Sequence, residues 1–351
     1  MEANSILSSL FAPAILFFAL GMISVLVRSD LEIPPPVVKF CAIFLLLSIG
    51  LEGGIEAVEA VQESPDLPAA MAMVAAFGIV ISILTVVFSQ KIFRVVLGFK
   101  TADAWATAGL YSAVSSVTLM VAVSMARAAQ DAVPEDLIYN GWMVATNVFL
   151  DAPGIIAAIV LGRMALLREA KDTSKRVRLR GLLRDSVFGW AIWLMIGGLV
   201  VGILSQTFSP SRMADTMQFF GALFHGVLSL YLLELGMVAA KRIGELKEYG
   251  TKLVRTIPVA WILPQIWALM AIAGIYAIHL VFPGTLGWGD AFVFAAMAGS
   301  ASYISAPPAL RAAIPEANPA VYLPMALVLT FPFNIIVSLP LWLAVSQALW
   351  G

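Results

Sequence analysis

Two short stretches of small hydroxyl residues carry most of the chemistry this sequence offers: Ser112, Ser115, Ser116 and Thr118 in one, Ser300, Ser302 and Ser305 in the other. Both lie in apolar surroundings, where hydroxyls and backbone N–H groups freed at a helix break present neutral donors to an anion. A half-helix N-terminus adds the positive end of its dipole, so no buried lysine is required. Proline gives the reason to expect a break. Pro307 and Pro308 are adjacent and cannot sit inside a regular helix, and Pro315 and Pro319 follow closely. Irregular backbone at membrane depth is tolerated only where protein or a cavity satisfies it. A single serine is as readily a packing residue, because small hydroxyls let helices approach and bond across their interface. The pairing of two such stretches is what points to a site.

A second set of residues offers oxygens. Asn147, Asp151, Ala152, Pro153 and Gly154 in one run, and Thr330, Phe331, Pro332 and Asn334 in another, read as matching interruptions. Proline frees a carbonyl one turn upstream, and freed carbonyls with an Asp carboxylate and Thr or Asn oxygens suit a hard cation such as sodium. Asp151 lies well inside an apolar run, where an ionisable group is costly and by default suggests function; the competing role is to cap a half-helix. Glu234 is equally well read as a paired structural carboxylate. Asp103 and Asp290 follow Thr101 and Gly289 as first-turn charges that favour the helix dipole. His225 and His279 are too few for a metal site, and the single Cys41 excludes an internal disulfide, so neither zinc nor cluster chemistry is expected.

The elements that must position these residues follow from composition. Hydrophobic residues make up 61% of the 351 and charged ones 12%, whereas a soluble domain is roughly half apolar and about a quarter charged. Lipid is the solvent, and the fold class is an all-α integral membrane protein. About ten runs approach the ~20 residues that cross hydrocarbon as a helix: 6–27, 35–51, 69–90, 104–126, 138–164, 186–208, 216–240, 254–282, 288–306 and 319–349. The first has no basic n-region or cleavage pattern and is expected to be a span rather than a signal peptide. Lys and Arg test that count independently. If the intervening loops alternate sides, 19 of the 21 basic residues fall on one side and only Arg127 and Arg212 on the other. The rich side is then cytoplasmic, both termini lie outside, and the expected location is the inner (plasma) membrane. One span more or fewer would destroy the asymmetry. The net charge of −1 argues against a nucleic-acid partner.

The halves resemble each other. FLLLSIGLEGG (Phe44 to Gly54) matches LYLLELGMVAA (Leu230 to Ala240) at an offset of 186, and DAWATAGLYSAVSSVT (Asp103 to Thr118) matches DAFVFAAMAGSASYIS (Asp290 to Ser305) at 187. Residues 1–165 are read as a first repeat of five spans, 166–185 as a basic cytoplasmic linker and 186–351 as a second repeat. Five is odd, so the second copy enters the membrane from the opposite side, and the arrangement is a 5+5 inverted repeat with discontinuous helices. That architecture is the usual one of secondary transporters, in which a midplane site opens alternately to each side. A membrane anion sensor or regulated scaffold of the same fold is the other class that fits, and so is a transporter of another small anion without sodium coupling. An intramembrane enzyme lacks an acid/base pair or Ser-Lys arrangement on facing helices.

The segment SASYISAPPALRAAIPEANPAVY (Ser300 to Tyr322), with IGLEGG (Ile49 to Gly54), GLYSAVSSVT (Gly109 to Thr118), FLDAPG (Phe149 to Gly154) and RIGEL (Arg242 to Leu246), resembles the SbtA-type sodium-dependent bicarbonate transporter family over essentially the whole chain. The resemblance implies gate and core domains, a homotrimer, uptake of bicarbonate coupled to sodium by elevator-like alternating access, and inhibition by a PII-like cytosolic protein. It places Ser112, Ser115, Ser116, Ser302 and Ser305 in the anion region and Asp151 in an Asp-x-Pro element. One position departs: the family pattern has an Asp between the serines of the second stretch, and here it is Tyr303, so one sodium ligand or charge partner is absent.

Overall fold

The computed structural model describes residues 13–63, 67–132, 139–170, 190–303 and 306–350. Among them there is helix and no strand, as lipid demands of a chain that must satisfy its own backbone groups without water. The helices are α1 (Pro13–Leu26), α2 (Pro35–Glu63), α3 (Leu67–Val95), α4 (Thr101–Ser112), α5 (Ser116–Ala132), α6 (Asn147–Ala170, entered through a 3₁₀ turn at Gly141–Thr146), α7 (Trp190–Phe208), α8 (Pro210–Arg242), α9 (Leu253–Val281), α10 (Trp288–Ala298), α11 (Ala306–Ala313) and α12 (Pro319–Trp350). Among the described residues seven helical segments are long and apolar enough to cross a membrane, and Leu16–Leu26, Ile196–Phe208 and Trp288–Ala298 are shorter apolar helices. In chain order, these fall on the ten apolar runs of the sequence. Most of the basic run between α6 and α7, residues 171–189, lies outside the described residues.

Packing sorts the helices into two bundles. In the first, α1 lies against α8, α2 against α7, and α2 against α8. Glycine makes these contacts backbone to backbone: a Cβ on Gly21 would overlap the Leu233 carbonyl oxygen, and one on Gly236 the Phe18 carbonyl oxygen. The same device recurs at the other pair, where a Cβ on Gly54 would overlap the Leu199 oxygen and one on Gly202 the Leu51 oxygen. Small residues at crossings are how helices associate where lipid removes any hydrophobic drive between them. Val200, Leu204 and Leu230 are left exposed on the outside of this bundle.

The second bundle holds α3, α4, α6, α9, α10 and α12, with α3 on α4 and α6, and α9 and α12 on α10. The short helices exchange partners across it: α5 packs on α10, while α11 packs on α4 and α6. Polar contacts then gather the helix ends into two levels. At one level Arg94 pairs with Glu169 (2.7 Å), Arg163 with Glu316 (2.9 Å), and the Lys252 ammonium donates to the Gly98 carbonyl (2.8 Å). At the other level Arg127 pairs with Glu52 (2.6 Å), Gln206 donates to Glu59 (2.8 Å), and the Trp350 indole donates to the Leu286 carbonyl (3.4 Å). The basic residues of the first level, Arg94, Arg163 and Lys252, are among those that the sequence reading placed on one side.

Candidate functional site

The fourth apolar run is not one helix. α4 ends at Ser112, Ala113 takes an extended conformation (φ −96°, ψ 140°), and α5 starts at Ser116. The ninth run behaves alike: α10 stops at Ala298, Gly299 to Tyr303 are non-helical, and α11 begins at Ala306. Pro307 and Pro308 fall in the first turn of α11, where a missing N–H costs nothing because it would have no helical partner. The prolines therefore mark the restart of a helix, as their pairing implied.

The two breaks meet. The Ser302 N–H donates to the Leu110 carbonyl (2.8 Å), and the Ser115 N–H donates to the Ser300 hydroxyl oxygen (2.8 Å). Ser115 and Ser302 are equivalent at the 187-residue offset, so each repeats the other's act of reaching into the opposite break. Each hydroxyl then serves the helix that follows it. Ser115 Oγ accepts from the Thr118 N–H (3.3 Å) and from the Thr118 hydroxyl (3.0 Å), and Ser302 Oγ accepts from the Ala306 N–H (3.3 Å). For Ser115 this is N-capping, which leaves the other first-turn donors of α5 pointing back toward the crossing. In α11, Pro307 and Pro308 carry no N–H, and Ala309 supplies the further first-turn donor.

The other predicted anion residues have more local roles. Ser300 Oγ donates to the Met297 carbonyl (3.0 Å) and Ser112 Oγ to the Gly109 carbonyl (3.1 Å). Ser112 is also covered by Gly154, where a Cβ would come within 2.6 Å of its hydroxyl. Ser116 is half-buried at the first position of α5. Ser305 lies outside the described residues.

The predicted cation residues come apart into different roles. Asp151 is buried, and its Oδ1 accepts from the Val114 N–H (2.9 Å), so the carboxylate caps break one from the neighbouring helix. Asn334 donates from Nδ2 to the Gly299 carbonyl (2.9 Å) and pins break two in the same manner with the opposite polarity. Thr330 is hydrogen-bonded to the Tyr111 hydroxyl and donates to the Ala260 carbonyl (3.1 Å). Asn147 is buried at the first residue of α6. The interruptions expected in these two runs take another form. Pro153 sits inside the continuous helix α6, and α12 is wound as π-helix at Met325–Thr330 and Asn334–Ser338 on either side of Pro332. A proline removes one helical hydrogen bond, and a change of winding absorbs that loss without breaking the helix.

Several residues that sequence reasoning passed over complete the site. A directed chain of hydrogen bonds supports Asn334: Trp342 Nε1 donates to Gln265 Oε1 (2.7 Å), Gln265 Nε2 to Ser338 Oγ (2.6 Å), and Ser338 Oγ to Asn334 Oδ1 (2.9 Å). Asp290 is fully buried and accepts from the Gly287 N–H (2.8 Å), the Asn140 N–H (2.8 Å) and Asn140 Nδ2 (2.6 Å). Its equivalent Asp103 accepts from the Asn318 N–H (2.7 Å). Each aspartate thus holds the entry to the last run of the opposite half. Only the match of Asp103 with Asp290 could have signalled this from sequence.

A family model described as the Na+-dependent bicarbonate transporter superfamily matches residues 13–347. The chain belongs to that superfamily. Comparison with curated proteins finds no match. Membership makes the chain a membrane transporter rather than an enzyme, in a superfamily whose substrate is an anion. For a member of the Na+-dependent bicarbonate transporter superfamily, the crossing of two capped helix breaks is the natural place to look for the ion.

Proposed function

We propose that the chain imports bicarbonate together with sodium, binding the anion between the two helix breaks and carrying it by an elevator-like movement of the second bundle against the first. In this reading the ten apolar runs are ten crossings, arranged as two inverted repeats of five on either side of residues 166–185. The basic level faces the cytoplasm, and both termini face outward across the inner membrane. The observation that carries it is the crossing itself, in which the Ser115 N–H donates to Ser300 in break two and the Ser302 N–H donates to the Leu110 carbonyl in the last turn of α4, beside break one. Such exchange is what an in-plane pseudo-twofold produces. The swapped contacts of Asp103 and Asp290 support the same symmetry. So does the recurrence of glycine crossings at α1–α8 and α2–α7.

The half-helix α5 offers first-turn N–H groups, and both α5 and α11 offer the positive ends of their dipoles, to an anion held between them. Sodium, as the co-transported ion, is drawn to the Asp151 carboxylate beside break one, with Asn147, Thr330 and Asn334 as the other oxygen-bearing candidates. Trimeric assembly and a PII-like cytosolic regulator belong to this proposal through the family resemblance.

Radiolabelled bicarbonate uptake into proteoliposomes, with and without an inward sodium gradient and against competing small anions, is the test. Uptake that requires the gradient and is weakened in Ser115→Ala and in Ser302→Ala is expected. Unchanged uptake kinetics in both variants would remove the site, and bicarbonate binding without net flux would make the protein a sensor.

A further inference from the structure

Three cavities adjoin the level of the molecule that carries the basic residues, and their chemistry differs. One of about 420 Å³ between α2 and α8 is mostly apolar, and its Lys39 and Glu234 balance each other. One of about 360 Å³ beside Gly98 and Arg255 lies at the periphery, where Lys252 already donates to the Gly98 carbonyl. The third, also about 360 Å³, lies on the seam between the two bundles. Leu235, Val238 and Arg242 of α8 form one wall, and Tyr303, Pro307 and Arg311 stand opposite, with Leu323 and Leu327 of α12 closing it. Two arginines and, among the described residues, no carboxylate line this space. Arg242 is engaged from outside by Glu245 through Nη1 (3.2 Å), and Arg311 has no ion-pair partner among the described residues.

Tyr303 connects this cavity to the helix crossing. It belongs to break two, next to Ser302, and its ring packs edge-on against Phe331 (centroids 5.0 Å apart, 62°), which fixes where the hydroxyl points. That hydroxyl is buried and reaches toward Ser115, yet it makes no hydrogen bond of proper geometry with any described residue. Buried hydroxyls nearly always have a partner, and among the described residues this one has no hydrogen bond of proper geometry, so it is open to an acceptor in the cavity that Arg242 and Arg311 also line.

We propose that the seam cavity is a binding site for a small oxyanion, held by the guanidinium groups of Arg242 and Arg311 and by the Tyr303 hydroxyl, one step before the helix crossing. The proposal rests on the transport reading for its purpose, though not for its chemistry. Guanidinium matches a planar oxyanion with parallel N–H donors, and a phenol adds a neutral third donor. Because the two walls belong to different bundles, an anion in the cavity bridges the parts that the transport reading moves against each other. Arg311 concentrates the anion, and Tyr303 hands it to the donors of the crossing.

Equilibrium binding of radiolabelled bicarbonate to the purified full chain tests this directly, with proteoliposome uptake run in parallel and the melting temperature of each variant checked. Arg311→Gln is expected to weaken binding about tenfold or more and Tyr303→Phe several-fold, in line with the loss of one charged and one neutral hydrogen bond. Arg311→Lys, which keeps the charge but not the paired N–H donors, should recover only part of the affinity lost in Arg311→Gln, a graded response that a purely structural arginine would not predict. Binding equal to wild type in Arg311→Gln and Tyr303→Phe, or no bicarbonate binding by the wild type, overturns the site. Binding that responds as expected while the wild type shows no flux leaves the site standing and removes the transport reading. Flux in the wild type with unaltered binding in the variants does the reverse.

Discussion

The two bundles are built from similar apolar helices and held together by opposite means. Where α1 meets α8 and α2 meets α7, unbroken helices touch backbone to backbone through Gly21, Gly236, Gly54 and Gly202. Every N–H and C=O in such a contact is already used inside its own helix, so nothing is left over for a ligand. Where α4–α5 meets α10–α11, the helices are interrupted, and their freed groups are satisfied by Ser115, Ser300, Ser302, Asp151 and Asn334. Polar groups that protein must satisfy in the absence of water are also groups that an ion can engage. The first bundle is therefore suited to a rigid frame and the second to a site, although composition along the chain barely distinguishes them.

The sharpest way to break this contrast is to spoil a glycine crossing. Gly236→Leu sets a side chain where the Phe18 carbonyl oxygen already lies, and since neither backbone can yield, overpacking should exceed its usual cost of about 1–3 kcal/mol. The expected outcome is little or no monodisperse protein by fluorescence-detected size exclusion, whereas Gly197→Ala, where a Cβ meets nothing, should behave as wild type. Next in size is Asp290→Ala, which strands three donors from Gly287 and Asn140. At about 1–3 kcal/mol for each buried group left unpaired, it should lower the melting temperature clearly more than Asp103→Ala, for which the one donor lost is the Asn318 N–H. Equal losses at the two equivalent positions would show that the aspartates act only on the helix dipoles.

The parts of this molecule that were legible in sequence are those that lipid dictates locally. Apolar runs had to be helices, because that follows from transfer of the backbone out of water. The breaks near Ser115 and Ser302 were legible because paired prolines and clustered hydroxyls seldom serve a regular apolar helix. Pro153 and Pro332 misled for the same reason: a proline announces a lost hydrogen bond, and only the packed structure decides whether a break or a π turn absorbs it. Partners were the least visible. Asp103 and Asn318 are 215 residues apart, and nothing in either segment names the other. Gln265 is an amide in α9 whose long-range partners, Ser338 and Trp342, lie on another helix.

Cutting that chain should have a smaller effect. Gln265→Leu leaves the Trp342 indole N–H without its acceptor and frees the amide of Asn334 to reorient, so about 1–3 kcal/mol of stability should be lost. Tryptophan fluorescence reports it: an emission change in Gln265→Leu and a weaker one in Gln265→Glu, which can still accept from Trp342, would place the effect at the indole.

The smallest structural effect, and the most informative, is expected from Asp151→Asn. Asn keeps an oxygen able to accept from the Val114 N–H, so break one should remain capped, and stability should fall by about 1 kcal/mol or less, the difference between a charged and a neutral acceptor. Only the charge is gone. If Asp151 does no more than cap, the variant should take up bicarbonate with the wild-type dependence on sodium, and Asp151→Leu, which removes the acceptor, should be the damaging change. If the carboxylate also attracts sodium, Asp151→Asn should require several-fold more sodium for half-maximal uptake while its melting temperature hardly moves. The same pair of measurements on Asn334→Ser, at the neutral pin of break two, should show a loss of stability from the released Gly299 carbonyl, and an unchanged sodium curve there would remove Asn334 from the sodium candidates. Opposite outcomes at the two pins would establish that the two breaks are held for different tasks, one by a charge and the other by a hydrogen bond.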